Sequence, residues 1–164
     1  GFLLLNRIAH KLVYYSVALG PFALVFFLCR GYFPGWPDAW TMAAYIASLL
    51  MSFLLGFFLE ATIGLVGFWF LEISSLIFIY MLFNFFFSGH MFPVSMLPGG
   101  WATVVEAMPL MYLAYFPAAV FLGIVEGQDL VRGLIFQAAW FVVFSICCRF
   151  ALARGLHRYS GYGG

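Results

Sequence analysis

Residues 40–59 read WTMAAYIASLLMSFLLGFFL, a run without one charged side chain. As a helix it covers about 30 Å, the thickness of a bilayer's hydrocarbon core. Its apolar character continues past Glu60 to Leu71. The whole stretch, about 48 Å at 1.5 Å per residue, is too long for one straight span. The helix therefore tilts, protrudes or is interrupted, with Gly64 and Gly67 the places for an interruption.

Upstream, Pro34, Gly35 and Pro37 crowd into residues 31–39 and mark a loop. Residues 12–29 before it are again charge-free, bracketed by Arg7 and Lys11 on one side and Arg30 on the other. Downstream, an apolar run occupies residues 73–92, and a shorter one, residues 133–148, is flanked by Arg132 and Arg149. Those two long side chains can snorkel and lengthen the span they bracket. The reading is an all-α, polytopic membrane helix bundle in a single transmembrane domain over residues 1–164. Its four spans fall at about 12–29, 40–70, 73–92 and 133–148.

Composition agrees. The chain is 66% hydrophobic and 8% charged, with a mean hydropathy of +1.07. Soluble domains carry about 25% charged residues to face water. A net charge of +1 leaves no basic patch to track phosphates, so no nucleic-acid partner is expected and membrane lipids are. Cys29, Cys147 and Cys148 sit at the ends of apolar runs without metal-ligand spacing and read as small apolar residues. The chain opens on Gly1, with neither Met nor a signal-peptide pattern, and is read as lacking an upstream portion.

Residues 107–125 are also charge-free but carry Pro109 and Pro117. If they do not cross, both chain ends share one side with Arg7, Lys11, Arg149, Arg154 and Arg158, leaving Arg30 and Arg132 on the other. The positive-inside rule then puts both ends in the cytoplasm. A crossing there would separate the two basic ends. The segment from about 100 to 125 is therefore read as a re-entrant pair of short helices on the outer face, tolerable at depth only where protein covers it.

No phosphate-binding glycine loop, His pair at metal spacing or nucleophile elbow occurs. His10, His90 and His157 are scattered. Catalytic, metal and cofactor-binding residues are therefore expected to be none. Glu60, in the long second helix, and Glu72, at the turn into the third span, are the candidate intramembrane or coupling acids. Each has a plainer reading: Glu60 near headgroups or paired with a basic group, Glu72 a solvated turn. Glu106, Glu126 and Asp129 are read as solvated. Phe83, Phe85, Phe86 and Phe87 are read as packing or lipid contact.

Ser88-Gly89-His90-Met91-Phe92-Pro93, followed by Pro98, resembles the end of the fifth span in type-2 ABC exporter permeases. Pro109, Tyr112, Tyr115-Phe116-Pro117 and Gly123 are similar to a run in one bacterial subfamily that includes viologen exporter permeases. Gln137, Trp140 and the tail from Arg154 to Gly164 resemble that subfamily too. The resemblance implies the last four spans of a six-span permease, without the coupling helix that family members place between their second and third spans. It implies half of a translocation path in an ATP-driven exporter of a bacterial inner membrane, working by alternating access. The implied partners are an ABC ATPase subunit, which holds the ATP and Mg, and a second permease subunit, identical or not. Ser88, Gly89, Pro93, Pro98, Pro109, Tyr112, Tyr115 and Pro117 would form the outer gate. The competing classes are a channel or non-catalytic scaffold subunit, which would favour a polar pore-lining stripe, and a lipid-modifying membrane enzyme, which needs clustered His, Asp or Glu.

Overall fold

The computed structural model describes residues 2–32, 35, 37–70, 72–89, 91, 96 and 100–160. Every regular element among the described residues is helical. The chain divides into two compact units, Gly1–Trp36 and Pro37–Gly164.

The first unit is helix α1 (Phe2–Leu28) and a 3₁₀ turn at Arg30–Tyr32. The helix starts well before the charge-free run, because Arg7, His10 and Lys11 oppose hydrocarbon but not helix. Its halves, Leu4–Val17 and Leu19–Leu28, meet at 44°. Pro21 is the cause: its ring lacks an N–H and presses on the carbonyl four residues back, that of Val17.

The second unit is built on two long helices, α2 (Ala39–Leu65) and α6 (Gly127–Ser160). With its 3₁₀ extension at Val66–Phe68, the first makes a continuous apolar rod over Ala39–Phe68, and the second does so over Gly127–His157. Both are long and apolar enough to cross a membrane, and the bent α1 makes a third if its halves count as one span. Asp38 caps α2, accepting hydrogen bonds from the Trp40 N–H (3.2 Å) and the Thr41 hydroxyl. The tightening to 3₁₀ at residue 66 falls between Gly64 and Gly67. Helix α6 extends beyond the charge-free residues 133–148 at both ends, so its charged flanks stay helical while only the middle is apolar.

Between these rods in sequence come α3 (Ser74–Phe87), α4 (Gly100–Glu106), a 3₁₀ turn at Pro109–Leu113 and α5 (Tyr115–Phe121). Helix α3 is about 21 Å long, less than a full hydrocarbon core. It ends at Phe87, before the residue 92 expected: the Ser88 N–H closes on Asn84 O at 3.0 Å, and Gly89 then turns left-handed with φ +86°.

Direction follows from side-chain neighbours. Gln137 meets Ser48 and Ser52, Phe58 packs on Phe141 with ring centroids 5.7 Å apart, and Phe68 abuts Gly155. Helices α2 and α6 therefore run parallel. Ile73, at the head of α3, lies against Gly67, and Ser88, at its tail, hydrogen-bonds Tyr115. Helix α3 thus returns antiparallel to both. Tyr112 and Phe116 bury against the first half of α2 and the start of α6, so residues 107–125 sit at the Ala39/Gly127 end of the unit.

Candidate functional site

Among the described residues the core of the second unit is mostly apolar, and three of its buried polar side chains gather in one cluster. Ser48 and Ser52 are one turn apart on α2 and face α6, and Gln137 faces them; Ser48 and Gln137 are fully buried and Ser52 nearly so. Gln137 Nε2 lies 2.9 Å from Ser48 O, 2.8 Å from Ser52 Oγ and 3.1 Å from Tyr112 O, three acceptors that share its two protons. Ser52 Oγ lies 2.7 Å from Tyr112 O and 2.9 Å from Ser48 O, and its single proton serves one at a time. The amide thus ties three elements together: α2, α6 and the irregular backbone of residues 109–113. Gln137 is about 7.5 Å along α6 from Arg132, inside the charge-free run. A 3₁₀ turn at that depth requires its carbonyls to find protein donors, and Gln137 and Ser52 supply them to Tyr112. Two polar atoms of the cluster, Ser48 Oγ and Gln137 Oε1, are buried with no hydrogen-bond partner among the described residues. They are a donor and an acceptor, and pairing between them would satisfy both.

Around this cluster the 107–125 segment is held by packing and by two more hydrogen bonds. Tyr112 is 3% exposed, and its hydroxyl donates to Glu106 O at 2.9 Å. Trp140 Nε1 donates to Ala107 O at 3.1 Å. The Phe116 ring lies on Gly133 so closely that a methyl group there would stand 2.1 Å from it. On the α2 side, Tyr45 packs against Phe121 with centroids 5.1 Å apart.

Of the residues expected at the gate, Ser88 and Gly89 meet Tyr115. Tyr115 N–H donates to Ser88 O at 2.9 Å, and a side chain on Gly89 would meet Tyr115 Cβ at 2.7 Å. Pro109 opens the 3₁₀ turn and Pro117 lies in the first turn of α5, positions where the absent N–H breaks no helical bond. Tyr112 lies at the cluster's centre. Pro93 and Pro98 lie outside the described residues. Glu60 and Glu72 belong to the other end: Glu60 is half-buried on α2 about 18 Å beyond Ser48, and Glu72 is exposed before α3.

Sequence reasoning missed Ser48 and Ser52, and it noted Gln137 only as a resemblance. A signal was present. Gln137 is the lone amide in its charge-free run, and two serines at i, i+4 put hydroxyls on one face of another. Rare polar groups at membrane depth mark a site as rare charges do.

Compared with known protein families, the chain is similar over residues 35–163 to the family described as ABC-2 family transporter protein. No curated protein and no solved structure matches it.

Proposed function

The chain belongs to the ABC-2 family of transporter proteins, and on that premise we propose that it forms half of the substrate path of an ATP-driven exporter. Membership makes it a multi-pass membrane permease of an ABC transporter, not a catalytic enzyme, and implies an ATPase partner. The finer reading is ours: efflux across a bacterial inner membrane by alternating access, with a second permease subunit opposite and separate ATPase subunits on the cytoplasmic face. Lipophilic or cationic compounds suit an aromatic-rich path, as in the viologen exporter subfamily the chain resembles.

One observation carries the reading of residues 107–125 as an outer gate. Their backbone is fastened to both long helices by a buried amide and hydroxyl, not by apolar packing alone. Polar ties of this kind can exchange partners, and the unpartnered Ser48 hydroxyl and Gln137 carbonyl give the cluster a second pairing when the segment lifts. The parallel course of α2 and α6 supports a segment that does not cross: an odd number of crossings must join them, and α3 provides one. The basic residues Arg149, Arg154 and Arg158 support a cytoplasmic C-terminal end.

The test is co-purification with an ABC ATPase subunit from the source cells, then ATP-dependent uptake of lipophilic cations into inverted membrane vesicles. Retention of the ATPase with uptake that Gln137→Leu diminishes is the expected result. Purification without any ATPase, or passive flux indifferent to ATP, would leave the channel or scaffold reading in its place.

A further inference from the structure

A cavity of about 450 Å³ opens at the Gly127 end of α6, beside the gate segment. Helix α6 lends it Asp129, Arg132, Gly133 and Phe136, the i, i+3, i+4, i+7 positions of one face. Helix α4 contributes Glu106, and the segment behind it forms an apolar floor with Tyr112 and Phe116. Glu106, Asp129 and Arg132 are all exposed at this cavity, so two carboxylates and one guanidinium look into it. Arg132 is steadied there, its guanidinium 5.8 Å from the Phe136 ring centroid.

Three features decide what fits. Arg132 is the last charge before the charge-free residues 133–148, so the cavity lies where water gives way to hydrocarbon. Below the rim the same α6 face continues with Phe136 and Val143, 39% and 44% exposed, an apolar track for an acyl chain. The charge pattern is mixed. An anionic headgroup would meet one guanidinium and two opposing carboxylates; a simple cation would leave Arg132 facing it. A group carrying an ammonium and a phosphate answers both signs.

We infer that this cavity seats the headgroup of a zwitterionic aminophospholipid, phosphatidylethanolamine. Its ammonium donates to Glu106 and Asp129, its phosphate accepts from Arg132, and its glycerol and chains descend over Phe136 and Val143. The lipid would brace α4 against α6 at the base of the gate segment. The inference needs only a membrane-embedded chain and stands apart from the transport reading.

Native mass spectrometry of the purified, delipidated protein tests it, with phosphatidylethanolamine and phosphatidylglycerol of matched chains added in turn. Binding of phosphatidylethanolamine about tenfold tighter than phosphatidylglycerol is expected, a preference abolished in the Glu106→Gln/Asp129→Asn double variant. Arg132→Gln should weaken phosphatidylethanolamine binding about tenfold as well. All three side chains are exposed, so the variants keep the fold, and unchanged melting without lipid checks this. Equal binding of the two lipids, or variants that bind as the parent does, would overturn the inference. Equally tight capture of water-soluble phosphoethanolamine would overturn its assignment to a lipid.

Discussion

Gln137 has one amide doing what a row of backbone hydrogen bonds does elsewhere, and its removal strands more than its own side chain. Replacing it with Leu keeps the volume but leaves Tyr112 O and Ser48 O without the amide donor. The cost should be about 1–2 kcal/mol, toward the middle of what a lost buried partner costs and above the average for polar contacts between membrane helices. Thermal unfolding in detergent measures it. The companion Ser52→Ala should be non-additive with it, because both act on Tyr112 O. Sterics give a cleaner prediction at Gly133. A methyl group there meets the Phe116 ring at 2.1 Å, so Gly133→Ala should destabilise by about 1–3 kcal/mol despite improving helix propensity. Phe116→Leu in the same chain should recover most of the loss; failure to recover would show that the glycine serves something other than ring clearance. Electrostatics enter at Asp38. The Thr41 hydroxyl bond, which lowers its pKa, is the largest influence, joined by backbone N–H bonds and opposed by slight burial. A folded pKa below the unfolded one contributes stability above the unfolded value, lost as pH falls through the folded one. Asp38→Ala should therefore lower the melting temperature at pH 6 and do progressively less as the pH falls below the ordinary carboxylate pKa, near 3.9.

At the scale of elements, what could be read from the sequence was what the bilayer dictates. The charge-free rods around residues 40–59 and 133–148 announce α2 and α6, because no other environment accepts so long an uncharged surface. The prolines at 109 and 117 equally announce a break, and the structure places each at a helix start. What escaped were features set by partners distant in sequence. Helix α3 stops at Phe87 because Gly89 must turn beneath Tyr115, and no local pattern names Tyr115 as the obstacle. The bend in α1 is legible in Pro21, a residue that adds to charge-free length while interrupting the helix. Gln137 was visible as a residue; that Ser48, Ser52 and Tyr112 converge on it depends on how α2, α6 and residues 109–113 pack together. The 107–125 segment can be tested as an element. Single cysteines at Ala107, Leu122 and Ile124, all exposed, should react with a membrane-impermeant thiol reagent. Those at Tyr112, Phe116, Ala119 and Val120, all buried, should be protected. Gln137→Leu should raise labelling at Tyr112→Cys severalfold, because the tie holding that backbone is gone. Uniform labelling along residues 107–125 in the parent protein would mean the segment does not pack as an element.

At the scale of the whole molecule, the direction of two helices constrains topology more firmly than any count of apolar runs. Helices α2 and α6 lie side by side in the same sense, Phe68 meeting Gly155 at one end and the Ser48–Ser52–Gln137 cluster nearer the other. If both cross, their first residues share one side of the membrane and their last residues the other, whatever lies between. If α3, antiparallel to both, crosses as well, it brings the chain back once. Residues 107–125 must then begin and end on the same side, whether they dip into the bilayer or lie upon it. The expectation from basic residues, that a crossing there would separate the chain's charged ends, rests on an unrelated force, the field and lipid charge outside the protein. The consequence is measurable with reporter insertions in the full-length protein. Reporters after Gly35 and after Glu126 should report one side, and reporters after Trp69 and after Gly164 the opposite side, with the latter pair cytoplasmic. Glu60 and Glu72 lie toward one end of α2 and the Gln137 cluster with its neighbouring cavity toward the other, so these reporters also assign each its side. A reporter after Glu126 that falls on the same side as one after Trp69 would mean either that α3 does not cross or that a second crossing follows it. It would make α2 and α6 antiparallel across the membrane, a result incompatible with Phe68 resting on Gly155.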